Sequence, residues 1–132
     1  MTSSRWWPTA SEIAEDIRAN LAAGDQDHAL RMLMDGVNQL PAIDAEGHLD
    51  EALDEPGTTG DLRWDALLAA AVRYRLHSMG RNPPQWTVKQ PLDNFWWPVA
   101  TWDSRAYNDL AHTPAELLRL GIFLDERAFA TA

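Results

Sequence analysis

Cysteine is absent from this sequence of 132 residues. A chain without thiols cannot form disulfides, bind a metal through thiolates or use a cysteine nucleophile. Long apolar runs are absent too, and a membrane-spanning helix needs about eighteen consecutive apolar residues. Since the first residues also lack an apolar secretory core, we expect a cytoplasmic protein without membrane spans.

Positive charge is scarce in the first half of the chain. Residues 1–66 hold fourteen acidic residues and four arginines, whereas residues 67–132 hold six acidic and seven basic residues. The formal net charge of the whole chain is −9. Because clustered cations drive binding to phosphates, this balance argues against direct binding of DNA or RNA. The acidity suits a basic protein partner, and it serves solubility equally well.

Residues 9–40 are predicted to form a helical hairpin. Thr9 and Glu12 fit a capping box, and an apolar residue follows at every fourth position. Gly24 is expected to stop this first helix. A second apolar pattern then runs at helical spacing until Pro41, which is expected to end it. Helices joined by so short a turn usually lie antiparallel.

Residues 41–60 are predicted to be an acidic connector, with a short helix at 48–54. The stretch holds six carboxylates and no basic residue. A calcium-binding loop starting at Asp44 would need glycine at its sixth position, where this chain has Leu49. We therefore interpret the stretch as a solvated loop and predict no metal site.

Residues 61–80 carry the clearest helical pattern. Seven apolar residues fall on one face, namely Trp64, Leu67, Leu68, Ala71, Val72, Leu76 and Met79. Gly80 and the two prolines that follow it prevent continuation of the helix. We expect this segment to be the central core helix.

The last third of the chain alternates between irregular and helical patterns. Prolines and tryptophans fill residues 83–102, which we expect to lie irregularly over the core with Trp86–Val88 extended. Residues 103–130 are predicted to be helical again, with Thr113 capping a helix that starts at Pro114. The whole pattern predicts an all-α fold, a single compact bundle of five or six helices with one irregular segment rich in proline and tryptophan.

No arrangement of residues points to catalysis. The four histidines stand neither in an HExxH pair nor beside a glycine-flanked serine, and no glycine loop fits a phosphate-binding motif. We therefore predict a protein that is not an enzyme, with no catalytic residues and no cofactor.

Tryptophan is unusually frequent, with seven residues in the chain. Two of the tripeptides are alike, Trp6-Trp7-Pro8 and Trp96-Trp97-Pro98. Neighbouring aromatic residues cannot both point into one core from a regular backbone, so either the backbone is irregular or one member stays exposed. Tryptophan is common among the residues that dominate binding. We predict that a partner contacts Trp6, Trp7, Trp96 and Trp97, with Asp50, Glu51, Asp54 and Glu55 as charge complements.

Several short motifs resemble a known family. They are TGDLRWDALLAA at 59–70, PPQWT at 83–87, FWWP at 95–98, HTPAEL at 112–117 and GIFLDER at 121–127. The series resembles the C-terminal region of antitoxin-like bacterial helix-turn-helix regulators, which are encoded beside nucleotidyltransferase-like toxins. The resemblance implies binding to such a toxin, without the separate DNA-binding domain of those regulators.

The leading prediction is therefore a protein-binding module, an antitoxin-like neutraliser that covers the basic cleft of a toxin. Two alternatives stay open. One is a small-ligand-binding protein or enzyme with a tryptophan-lined pocket. The other is a DNA-binding regulator, for which only Arg73, Arg75 and Arg81 lie near one another in the sequence.

Overall fold

The computed structural model describes residues 5–99 and 111–129, and these residues are helical and contain no β-strand. The α-helices in these ranges are α1 (Ala10–Ala22), α2 (Gln26–Asn38), α3 (Leu40–Ala45), α4 (Leu49–Ala52), α5 (Leu62–Ser78) and α6 (Ala115–Leu118). Two short 3-10 turns are also present: Gln85–Thr87 lies between α5 and α6, and Glu126–Phe129 follows α6. The predicted all-α bundle is confirmed. In the described ranges no helix is long and apolar enough to cross a membrane.

Helices α1 and α2 form the predicted hairpin. Thr9 accepts a hydrogen bond from the backbone N–H of Glu12, and the Glu12 carboxylate accepts one from the Thr9 N–H, so the capping box is complete. The two helices pack closely because α2 carries Gly36 at the contact. A Cβ atom at Gly36 would lie 2.5 Å from Cδ1 of Ile13.

The acidic connector contains two short helices, α3 and α4. Pro41 does not end α2, which stops at Asn38; it stands in the first turn of α3. Proline is tolerated there because the first N–H groups of a helix have no partner within it. Gly47 separates α3 from α4 with a left-handed φ of 80°, a conformation that favours glycine.

Helix α5 runs through the core, as predicted, after an N-cap in which Asp61 accepts from the N–H of Arg63. Its burial exceeds the single face that the sequence indicated. The buried residues surround most of the helix: Trp64, Ala66, Leu67, Leu68, Ala69, Ala70, Ala71, Val72 and Leu76. The other elements must therefore cover α5 from several sides.

The segment rich in proline and tryptophan supplies part of that cover. Trp86 and Thr87 lie in a 3-10 turn, so the extended conformation expected for Trp86–Val88 is wrong for these two residues and is confirmed only at Val88. The Thr87 hydroxyl donates to the carbonyl of Pro84 at 2.6 Å, which closes the turn. Further along, Trp96 forms an isolated parallel bridge with Ile122, which ties the segment to the C-terminal part of the chain.

The C-terminal part departs from prediction at one cap. Helix α6 begins after Pro114, and the Thr113 hydroxyl does not cap it but accepts from the backbone N–H of Leu124 at 3.0 Å. Asp125 caps the last turn by accepting a hydrogen bond from the N–H of Arg127 at 2.9 Å. Of the helical stretch predicted from residue 103, residues 103–110 lie outside the described residues, and residues 111 and 112 are helical as predicted.

The capping box predicts which hydroxyl matters for α1. Thr9→Ala removes the acceptor for an N–H at the start of the helix and should lower the free energy of unfolding by about 1 kcal/mol. Ser11→Ala, which removes a hydroxyl from the first turn of α1, loses only an exposed hydrogen bond to the Glu55 carbonyl and should cost less. Urea denaturation measures both values, and an equal loss would contradict the assignment of the cap.

Candidate partner-binding groove

A groove of about 800 Å³ lies between the segment before α1 and the adjoining sides of α1 and α2. We call it the acidic groove and define it by Arg5, Trp6, Glu12, Glu15, Asp16, Met32 and Asp35. It combines an aromatic side chain, an apolar side chain and four carboxylates around one cation.

The helices place these carboxylates together. Glu12, Glu15 and Asp16 stand three and four positions apart on α1, so they share one side of that helix. Asp35 and Met32 stand three positions apart on α2 and line the same groove. The hairpin therefore joins two acidic helix faces that are nearly twenty residues apart in the chain.

The cation of the groove is already paired. Arg5 donates to Glu12 at 2.6 Å and to the carbonyl of Trp7 at 3.1 Å, and its guanidinium lies 5.0 Å from the centroid of the Trp7 ring. The Arg5 bond, helped by the N–H of Thr9, lowers the pKa of Glu12 to about 2. Charge within this pair is thus neutralised, and the remaining carboxylates set the charge of the groove.

Those remaining carboxylates are Glu15, Asp16 and Asp35. All three residues are exposed, and none forms an ion pair in the part of the chain that the structure describes. Three negative charges without a counter-charge therefore face the opening of the groove. Such an arrangement attracts cations and repels phosphate.

Trp6 lies at the margin of the groove with 51 % of its surface exposed. Its indole Nε1 donates to the Glu46 carboxylate at 3.3 Å, which holds the ring near α3. Trp7 is only 5 % exposed and stacks on His48, with ring centroids 5.5 Å apart. Trp7 also lines the groove, but its burial leaves a partner far less surface than Trp6 does, and its contact with a partner stays a prediction.

The second tryptophan pair lies elsewhere. Trp96 is half-buried and packs edge-on against Trp64 of α5, with ring centroids 5.5 Å apart. Trp97 is half-buried against Phe123, at 4.6 Å between centroids. The exposed aromatic residue of this stretch is their neighbour Phe95, at 73 %. Neither Trp96 nor Trp97 lines the acidic groove, so the structure does not join the two predicted pairs into one surface.

The four carboxylates predicted in the connector are exposed: Asp50, Glu51, Asp54 and Glu55. Asp54 accepts from the backbone N–H of Ser11 at 3.1 Å, which attaches the connector to the start of α1. The pKa of Arg5 is raised, mainly by its bond to Glu12 and further by the charges of Glu51 and Asp54. The structure therefore brings part of the connector close to the acidic groove and to Trp6.

Glu15, Asp16 and Asp35 were not among the site residues predicted from the sequence. Their spacing within α1 was a visible signal, but the alignment of α1 with α2 was needed to add Asp35. No metal centre accompanies them: within residues 5–99 and 111–129, no group of three or more His, Asp and Glu side chains is placed to hold a metal ion. The groove offers charge and an aromatic surface for binding.

The Arg5–Glu12 pair makes stability depend on pH in a defined window. Because the pKa of Glu12 is lowered from 4.5 to about 2, its contribution is complete above pH 4.5 and disappears as the pH falls through 2. The stability advantage of the native chain over Glu12→Gln should therefore shrink across that window. Urea denaturation at a series of pH values measures it.

Glu15→Gln is the matched control for this measurement, since Glu15 stands on the same helix without an ion pair. Its difference from the native chain should stay nearly constant over the same pH range. A parallel loss in both variants would show that the Arg5 bond is not the cause.

In comparisons with known proteins, no family model matches the chain, and no curated protein or solved structure shows significant similarity. Function must therefore be argued from the groove itself. Its two distinguishing properties are the exposed indole of Trp6 and the carboxylates that have no ion partner in the described ranges.

Proposed function

We propose that the chain is a non-enzymatic protein-binding module whose acidic groove captures a basic segment of another protein. The observation that carries this proposal is the exposed Trp6 indole in one groove with three carboxylates that form no ion pair with any described residue. The indole supplies apolar contact area, and the carboxylates supply attraction and orientation. A positively charged partner with an apolar side chain would complement both the carboxylates and the indole.

The energetics favour Trp6 as the anchor. A tryptophan buries on the order of 200 Å² when it is fully covered, and half of this ring is still open to solvent. Its bond to Glu46 restricts the ring before binding, so less conformational entropy is lost on association. The exposed carboxylates contribute mainly to the association rate.

The charge of the groove selects the class of partner. Nucleic acids present phosphates, which Glu15, Asp16 and Asp35 would repel. A protein segment that carries arginine or lysine next to an apolar side chain would find complements for both. This supports a basic protein over DNA or RNA.

The narrower proposal is an antitoxin-like neutraliser in the cytoplasm of a bacterium. It rests on the resemblance of the sequence motifs to antitoxin-like regulators, and on the fit between an acidic groove and the basic cleft of a nucleotidyltransferase-like toxin. In this role the chain would act by covering the cleft. Such occlusion requires no reactive group in the chain.

The small-ligand alternative has less support. A cavity of about 320 Å³ is lined in part by Trp86 and Asp65, but their polar groups serve the fold. Asp65 accepts from the hydroxyls of Thr58 and Thr59 at 2.7 and 2.6 Å. The indole N–H of Trp86 donates to the carbonyl of Leu53 at 3.0 Å. These groups are therefore occupied within the chain.

The direct experiment is co-expression with the neighbouring reading frame of its source genome, followed by purification and calorimetry. We expect a stable complex with a basic protein. Trp6→Ala should weaken the complex about thirtyfold, the loss typical of a central tryptophan anchor (about 2 kcal/mol). Phe95→Ala, an exposed aromatic residue outside the groove, is the matched control and should bind normally.

If Phe95→Ala weakens the complex and Trp6→Ala does not, the interface lies on the other side of the molecule and the groove is not the site. Purification of the chain without any partner would contradict the proposal as a whole.

Charge reversal tests the acidic side separately. Asp35→Lys should slow association about tenfold at low salt, because it places a cation opposite the basic partner. The effect should decrease as salt is added. Asp93→Lys changes the same charge on an exposed loop outside the groove and should have a much smaller effect in stopped-flow measurements. Equal slowing by both variants would indicate net charge alone.

A further inference from the structure

A second site of opposite charge lies between α5, the residues after the Gln85–Thr87 turn and α6. It is a small cavity of about 30 Å³ whose lining includes three cations, Arg73, Lys89 and Arg119. One hydroxyl, from Thr87, and one carboxylate, from Glu116, complete its polar lining. None of these residues belongs to the acidic groove.

The three cations lack ion partners in a chain where acids outnumber bases. The ion pairs within residues 5–99 and 111–129 involve Arg5, Arg63, His77, Arg81 and Arg127. Arg73, Lys89 and Arg119 are not among them. Glu116, the one carboxylate in the lining, lies with its Oε2 2.5 Å from Nδ1 of His77 and forms no ion pair with these three cations. Three positive charges and one negative charge therefore line the cavity, which leaves an excess of positive charge.

Arg73 is held in place for this role. It is half-buried on α5, and its Nη1 donates to the Thr87 hydroxyl at 3.1 Å. Thr87 is 1 % exposed, and its own hydroxyl donates to the carbonyl of Pro84. Since Thr87 is neutral, its hydrogen bond does not offset the positive charge of Arg73. The guanidinium also has further N–H groups that can donate to a ligand.

We propose that this cavity is a binding site for a phosphate group. Three cations on separate elements can each reach a different oxygen of a tetrahedral anion, and a guanidinium matches phosphate geometry. The cavity has room for about one water-sized group, so a single phosphate oxygen enters beside Arg73. The other oxygens stay at the opening, where Lys89 and Arg119 are exposed.

The phosphate has two chemical sources, the free ion and a phosphate monoester. Both present the same oxygens to Arg73, and they differ in what occupies the outward-facing position. The site does not depend on the proposed partner-binding function, because the two sites use different residues. It can therefore be tested on the isolated chain.

Isothermal titration with inorganic phosphate, and separately with methyl phosphate, tests the proposal at constant ionic strength against chloride. We expect saturable binding with one site per chain. Tighter binding of inorganic phosphate would support the free ion, and tighter binding of methyl phosphate would support a monoester. Absence of saturable binding for both would overturn the proposal.

Lys89→Gln and Arg119→Gln should each weaken binding about tenfold, because each removes one charge-assisted hydrogen bond. Arg31→Gln removes an exposed arginine of α2 that lines neither site and is the matched control. Circular dichroism checks that all three variants fold. Equal weakening by Arg31→Gln would show only a general charge effect and would also overturn the proposal.

Discussion

The burial of α5 on most of its sides is the constraint on which the described fold depends. A helix with apolar residues all round is unstable unless other elements cover it. Trp64, which is fully buried, shows how strict this requirement is: its indole N–H has no hydrogen-bond partner among the described residues, and such a group costs free energy in a core. The cover comes from the α1–α2 hairpin, the Gln85–Thr87 turn and α6. The irregular segment rich in tryptophan adds to this cover through Trp96, which packs against Trp64.

The same constraint separates the tryptophans by role. Trp7 and Trp64 are core residues, and Trp96 packs against Trp64 as part of the cover. Of these four tryptophans, only Trp6 is more than half exposed. The contacts of Arg5, the residue before it, explain its position. Arg5 is tied to Glu12 and to the Trp7 carbonyl, so Trp7 turns inward while its neighbour remains at the surface. The exposure of Trp6, the candidate anchor, thus follows from the contacts of Arg5 with Glu12 and Trp7.

Hydrogen bonds between residues close in the sequence were predictable, whereas contacts between residues far apart in the chain were not. The capping box at Thr9 and the cap at Asp61 depend on residues within three positions, so pattern reading found the starts of α1 and α5. The Thr113 hydroxyl instead bonds to Leu124, eleven positions away, and no local pattern contains that partner. Likewise, the sequence indicated an acidic surface with an exposed tryptophan, but the contribution of Asp35 depends on how α2 lies against α1.

Charge segregation gives the molecule two chemically distinct surfaces. With almost twice as many acids as bases in the chain, carboxylates are plentiful, so a shortage of acids cannot explain why Arg73 and Lys89 form no ion pair within residues 5–99 and 111–129. Their place in the fold explains it, because the acids are concentrated before α5 and these cations follow its midpoint. A basic segment would be repelled from the cationic cavity, and a phosphate would be repelled from Glu15 and Asp16. Each proposed ligand is therefore excluded from the other site by the charges that form it.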